Sequence, residues 1–90
     1  MHFEWDSAKG AKSFRKHRIS FEEAASVFYD PLAVTGADPD HSEAEDRLIT
    51  FGVSSAGRLL VVSHIERGET IRIISARRAT PHERRIYEEG

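Results

Sequence analysis

The chain has no cysteine. Disulfides, thiolate zinc sites and cysteine nucleophiles are therefore excluded, and a reducing compartment fits. It has no apolar run approaching the roughly 20 residues a membrane helix needs. The opening MHFEWD does not resemble a signal peptide. A soluble, cytoplasmic protein with no membrane contact is expected. There is no phosphate-cradling glycine loop, no metal-ligand cluster of diagnostic spacing, no Ser/His/Asp order and no internal repeat or linker. Basic residues are missing from one long stretch: positions 20–46 hold eight acids and no Lys or Arg. By contrast, positions 1–19 hold five Lys/Arg against two acids, and 47–90 hold eight Arg against five. The net charge of −2 argues against a general nucleic-acid binder. The uneven distribution allows a phosphate backbone on one side and a basic protein on the other, or an ordinary mixed surface after folding.

Ninety residues make one domain, 1–90, with a small core. Phe3 and Trp5 alternate with polar neighbours, which suggests a short strand. Asp6 can cap a helix over Ser7–His17, thinly apolar at Ala8, Ala11 and Phe14 and basic at Lys9, Lys12, Arg15 and Lys16. Ser20 and Glu23 have capping-box spacing before a second helix, which Asp30-Pro31 stops. Its Phe21, Ala24, Ala25 and Phe28 are core candidates. Leu32–Thr35 reads as a strand. Gly36–Asp46 reads as an acidic, solvated loop whose spacing matches no complete calcium site. Arg47–Val53 reads as another strand. Thr80-Pro81-His82-Glu83 is a second capping box with proline at the first helical position, opening a short helix.

The centre of the chain is Leu59–Ala79. Two β-branched runs, Leu59–Glu66 and Thr70–Ala76, flank Arg67-Gly68-Glu69, the pattern of a β-hairpin. A three-residue loop pairs Glu66 with Thr70 and His64 with Arg72. On that register Val61, Ser63, Ile65, Ile71, Ile73 and Ser75 form a mostly apolar face. Leu60, Val62, His64, Arg72, Ile74 and Arg78 form the other. The fold class expected is α+β, with an antiparallel sheet of about four strands, two N-terminal helices and a short C-terminal helix.

Arginine and histidine crowd the last two strands and the C-terminal segment: His64, Arg67, Arg72, Arg77, Arg78 and Arg84. Lys9, Lys16 and His17 are candidates from the first helix. One reaction suits this set without a cofactor or metal. RNA cleavage by attack of its own 2′-hydroxyl needs a base, a stabiliser of the charged phosphorane and an acid for the leaving 5′-oxygen. Arginine forks match phosphate oxygens, and histidine or lysine can move protons. Structural roles fit as well. His64 can be a partly buried histidine on a sheet face. Arg72 can pair with Glu66 or Glu69, and Arg77 and Arg78 can cap the sheet end and pair with Glu83. Arg58 lies in the turn before the hairpin, and its replacement by alanine is expected to be silent.

The chain resembles the BrnT family of type II toxins, small RelE-like ribonucleases. The matching segments are Phe3-Glu4-Trp5-Asp6, Lys9, Lys16-His17, Ser20-Phe21-Glu22-Glu23-Ala24, the His41-Ser42-Glu43 and Arg47 region, Arg67-Gly68 with Ile71–Ala79, and Glu83-Arg84. The resemblance spans nearly the whole chain and is specific in combination. It implies a RelE-like fold, endoribonuclease activity and neutralisation by a BrnA-like ribbon-helix-helix antitoxin. Operator DNA would be met only indirectly, through the antitoxin. The resemblance carries over Lys9, Arg67 and Arg77, while the family accepts other side chains at the position of His64; the roles expected are Arg77 for the phosphorane, Arg67 for the scissile phosphate and His64 for proton transfer. Lys9, Arg72 and Arg84 would bind RNA. The alternative is a non-catalytic binding module acting as co-repressor with a DNA-binding partner. Two positions depart from the family, which usually has asparagine at Ser13 and glycine at Arg18. A glycine there would serve the left-handed helix cap, so either Arg18 tolerates that conformation at some cost or the chain leaves the helix differently.

Overall fold

The computed structural model describes residues 1–39 and 46–90. The His41-Ser42-Glu43 match and most of the acidic loop fall outside the described residues. The elements run β1 (His2–Glu4), α1 (Ser7–His17), α2 (Phe21–Ser26) with one 3₁₀ turn (Val27–Tyr29), β2 (Val34–Ala37), β3 (Arg47–Val53), β4 (Leu59–Arg67), β5 (Thr70–Arg78) and α3 (Pro81–Glu89). One five-stranded sheet has the order β1-β5-β4-β3-β2. β2 to β5 form an antiparallel meander, as the turn signals require. β1 adds to β5 in parallel over three residues, so the sheet is mixed and has one strand more than expected. No hairpin links β1 to β5, because they come from opposite ends of the chain. No helix is long and apolar enough to cross a membrane among the described residues.

The hairpin closes more tightly than the sequence suggests. Arg67 pairs with Thr70, so only Gly68 and Glu69 form the loop. Gly68 takes φ +61° while Glu69 stays negative. A positive φ at the first central position alone is the type II′ pattern, whose twist matches that of the strands. His64 therefore lies opposite Ile73, not Arg72, and a bulge between Ser63 and His64 leaves Ile74 without a partner. A one-residue offset exchanges the faces of one strand against the other. Ile71 and Ile73 thus join Leu60 and Val62 against Ile19, Phe21, Ala24 and Val27 of the helical layer. Val61, Ser63 and Ser75 line the opposite face. Ile65, Ile71 and Ile73 are all buried, as expected, but Ile65 does not share a face with the other two.

Each helix has an identifiable start. Asp6 accepts hydrogen bonds from the backbone N–H of Ala8 and Lys9. Thr80 and Glu83 complete a reciprocal capping box. At α2 only half the box forms, since Ser20 Oγ accepts from the Glu23 N–H. The Glu23 carboxylate instead accepts from Arg58 and from Ser54 Oγ. Arg58 also donates to the carbonyl of Arg18 (3.1 Å). Arg18 holds φ +59° and closes α1 through its N–H to Phe14. A β-carbon in this region adds strain of about 1 kcal/mol or more, and the tie from Arg58 helps hold it there.

Arg58 is more than a turn residue, because it joins the chain before β4 to α1 and α2. Arg58→Ala should lower the melting temperature by several degrees, with Glu23→Gln close behind. The double variant should fall short of the sum of the two. Thermal unfolding of the three proteins checks this, and full additivity would show that the pair is not coupled.

Asp30 plays a similar part after the 3₁₀ turn. Its carboxylate accepts from the N–H of Leu32 and Val53 and from the Tyr87 hydroxyl (2.7 Å). The Tyr87 bond tethers α3, and against the opposing effect of burial the three bonds together hold the carboxyl below its usual range. Gly52 marks the closest approach of sheet and helical layer. A β-carbon there would lie 3.0 Å from both Val27 Cβ and the Val27 carbonyl oxygen.

Candidate nucleic-acid interface

Arg77 sits in the second-to-last position of β5, opposite Val61. Its guanidinium makes two parallel bonds to Glu83, Nη1 to Oε1 and Nη2 to Oε2, each 2.7 Å. Nη1 also donates to the Arg78 carbonyl. Glu83 is placed by the capping box, where Oε1 also accepts from the Thr80 N–H. The Arg77 hydrogen bonds, with smaller help from Thr80, bring the Glu83 carboxyl down to about 2. At any ordinary pH the pair is therefore ionic, and a fork–fork pair holds the guanidinium plane in one orientation. The pair borders a cleft of about 280 Å³ lined by Ile49, Val61, Ser63, Ser75 and Asp38.

A second hollow, about 190 Å³, lies between α1 and β5. Lys9, Lys12, Lys16 and His17 wall it, and Phe21, Ile74 and Ala76 floor it. The lysines stand at i, i+3 and i+7, so they share one helix face. β1 pairs with β5 only as far as Arg72, which leaves this stretch of β5 edge uncovered among the described residues. Ser75 lines both hollows. The bulge at Ile74 brings this about, because it re-phases the strand so that Ser75 and Arg77 turn to the face away from α1 and α2.

The other sequence candidates do not converge here. Arg67 is at the hairpin turn, opposite Thr70. Seven residues separate Thr70 from Arg77, roughly 23 Å at the usual strand rise, so Arg67 and Arg77 cannot hold one phosphate. Arg72 pairs with Glu4 (3.3 Å), a partner from β1 that the hairpin pattern alone could not indicate. Arg84 is exposed on α3, next to Glu83.

His64 is fully buried, with no exposed surface. It faces the helical layer, where Phe28 packs edge-on against it at 4.8 Å. Its Nε2 lies 2.7 Å from Thr50 Oγ1, which is itself 2.7 Å from Thr35 Oγ1. Burial alone pushes the imidazole down to about 4. A side chain closed off from solvent on the face opposite Arg77 does not meet the phosphate that Arg77 meets. The tighter hairpin puts it there, and the alternation Leu60, Val62, His64 was the sequence sign.

This burial has a measurable consequence. As pH falls, the unfolded chain binds a proton near 6.5 and the folded chain only near 4. The His64 contribution to stability should therefore fall across that window, by up to about 3 kcal/mol, and change no further below it. Denaturant unfolding between about pH 7 and pH 4 measures the slope. His64→Gln should flatten it, whatever its own stability.

The fold and this face define a small α+β domain suited to a polyanion, with a clamped arginine and a lysine-lined helix on either side of one strand edge. The chain belongs to the family described as ribonuclease toxin, BrnT, of type II toxin-antitoxin system, whose model matches residues 5–83. Among solved structures it is similar to the Brucella abortus ribonuclease toxin BrnT, with a TM-score of 0.69 and 24% identity over 89% of this chain and 97% of that one. That likeness bears on the fold. No curated protein matches the chain.

Proposed function

We propose that the chain is an endoribonuclease toxin that cuts RNA by attack of the 2′-hydroxyl on the adjacent phosphate, without a metal. The proposal places it in the cytoplasm, neutralised by a ribbon-helix-helix antitoxin through which alone it meets operator DNA. The observation that carries it is the position of Ser75 between the lysine-walled hollow and the Arg77–Glu83 cleft. A strand of RNA crossing the β5 edge there would meet both. Lys9, with Lys12 and Lys16, would hold the backbone on one side, and Arg84 on the other. Three lysines on one helix face repel one another, and a polyanion relieves that repulsion. Arg77, oriented by Glu83, would donate to the phosphorane oxygens as the 2′-oxygen bonds to phosphorus and the bond to the 5′-oxygen breaks. The 2′-hydroxyl proton goes to a base and the leaving oxygen takes one from an acid. Of the two histidines considered for that work, His17 lines the RNA-facing hollow and His64 does not.

The test is incubation of partner-free protein with RNA in EDTA. Expected products carry 2′,3′-cyclic phosphate and 5′-hydroxyl ends, and His17→Gln should slow their formation by about 10²-fold or more. Glu83 already occupies the Arg77 fork, which is what a non-catalytic module would also show. Folded protein that binds its antitoxin but cuts no RNA would establish that module instead.

A further inference from the structure

A third hollow, about 360 Å³, lies at the hairpin turn, at the other end of the sheet from Arg77. Met1, Phe28 and Ile71 give it apolar walls, and Thr35, Glu66 and Glu69 give it polar ones. Neither glutamate has a Lys or Arg within ion-pair distance among the described residues. Beside it the apolar surface continues. Phe28 packs on Phe3, Phe3 on Tyr29, and Met1 and Tyr29 are each at least 60% exposed.

A second observation concerns Glu66, which lines the same hollow. His64 Nδ1 is buried and has no hydrogen-bond partner. In the tautomer that has Thr50 donating to Nε2, Nδ1 carries the ring proton, and Glu66 Oε2 lies 3.7 Å from it. Three residues lining the hollow thus bear on this one ring: Phe28 packs on it, Thr35 begins its hydrogen-bond chain, and Glu66 faces its unmet proton. A cation held over the hollow would fix Glu66 between itself and that proton, satisfying both.

We propose that this hollow receives the cationic, long-stemmed side chain of an arginine or lysine from a protein partner, flanked by apolar residues that cover Met1 and Tyr29. The antitoxin is the partner that fits, so the proposal rests on the toxin–antitoxin reading. The stem of such a side chain packs on apolar walls while its charged head meets carboxylates. RNA is repelled by the same glutamates. The two ends of the sheet would then divide the work, with polyanion at Arg77 and a basic peptide at the turn.

Benzamidine, an aryl ring bearing a cation, is the direct probe, and neutral benzamide is its control. In ¹H–¹⁵N spectra of the whole chain, benzamidine should give saturable shifts at Glu66, Gly68, Glu69 and the His64 ring, and benzamide should not. The exposed pair Glu66→Gln and Glu69→Gln together should remove the shifts without lowering the melting temperature. The same double variant should bind the antitoxin of its own pair roughly tenfold more weakly. Equal shifts with benzamide, no saturable shift, or unchanged antitoxin affinity would each overturn the proposal. RNA cleavage by the double variant should match the parent. A chain that behaves as expected here yet cuts no RNA would overturn only the ribonuclease reading.

Discussion

Arg77→Ala is expected to slow single-turnover RNA cleavage by about 10²–10³, the usual effect of removing one preorganised donor from a charged transition state. Arg77→Lys should recover only part of the loss, since lysine keeps the charge but not the planar fork. The partner of the guanidinium makes the experiment more informative. Glu83 holds Arg77 through two bonds and belongs to the α3 capping box. Glu83→Gln keeps an acceptor for the Thr80 N–H but loses the ionic clamp, so cleavage should fall less than in Arg77→Ala. The clamp also has a pH signature. The Glu83 carboxyl is depressed to about 2 from 4.5, so what it adds to stability is present above about pH 4.5 and fades as pH falls toward 2. The effect should be modest, since the Arg77 side chain is 45% exposed and solvent screens the pair. If Arg77→Ala cuts RNA like the parent, Arg77 serves only to fasten α3.

Ile73→Asp should unfold the protein. Ile73 is 1% exposed and packs within the one cluster that joins sheet and helical layer. A carboxylate there lies opposite His64, whose burial disfavours the imidazolium, so it stays unpaired and costs several kcal/mol, about the whole stability of a small domain. Circular dichroism should show loss of native structure, and toxicity should vanish with it. Ile73→Val, which removes one methylene, should instead remain folded with a loss of about 1 kcal/mol. A native spectrum and unchanged melting for Ile73→Asp would contradict the burial of this side chain.

Much of the fold was legible because local chemistry agreed with tertiary structure. Asp6, Ser20 and Thr80 each cap the helix that their spacing announced. Arg18 takes the left-handed cap where a glycine is usual in the family. Elements whose partners are distant in sequence were harder to read. β1 is a strand only because β5 offers it an edge. Glu23 looked like half of a capping box, but Arg58, thirty-five residues on, claims its carboxylate. The hairpin register turned on whether Arg67 belonged to the loop or the strand, and the bulge at Ile74 has no sequence signal apart from the change in apolar phase after Ile73. That single offset moved His64 from the candidate site into the core. Arg77 with Glu83 was readable as a pair, but which groups they would face was not.

α3 buries no residue fully, and the bonds that fasten it here run from Tyr87 to Asp30 and from Glu83 to Arg77. The helix is thus a latch more than a layer of the core, and the side chain proposed for catalysis is one of its two catches. Anything that pulls on the C-terminus pulls on Arg77. An affinity tag or reporter fused after Gly90 would load that latch, while one placed before Met1 would crowd the hollow at the turn. A toxin that looks inactive in one fusion and unresponsive to its antitoxin in the other would be showing the position of the tag, so both assays belong on the untagged chain.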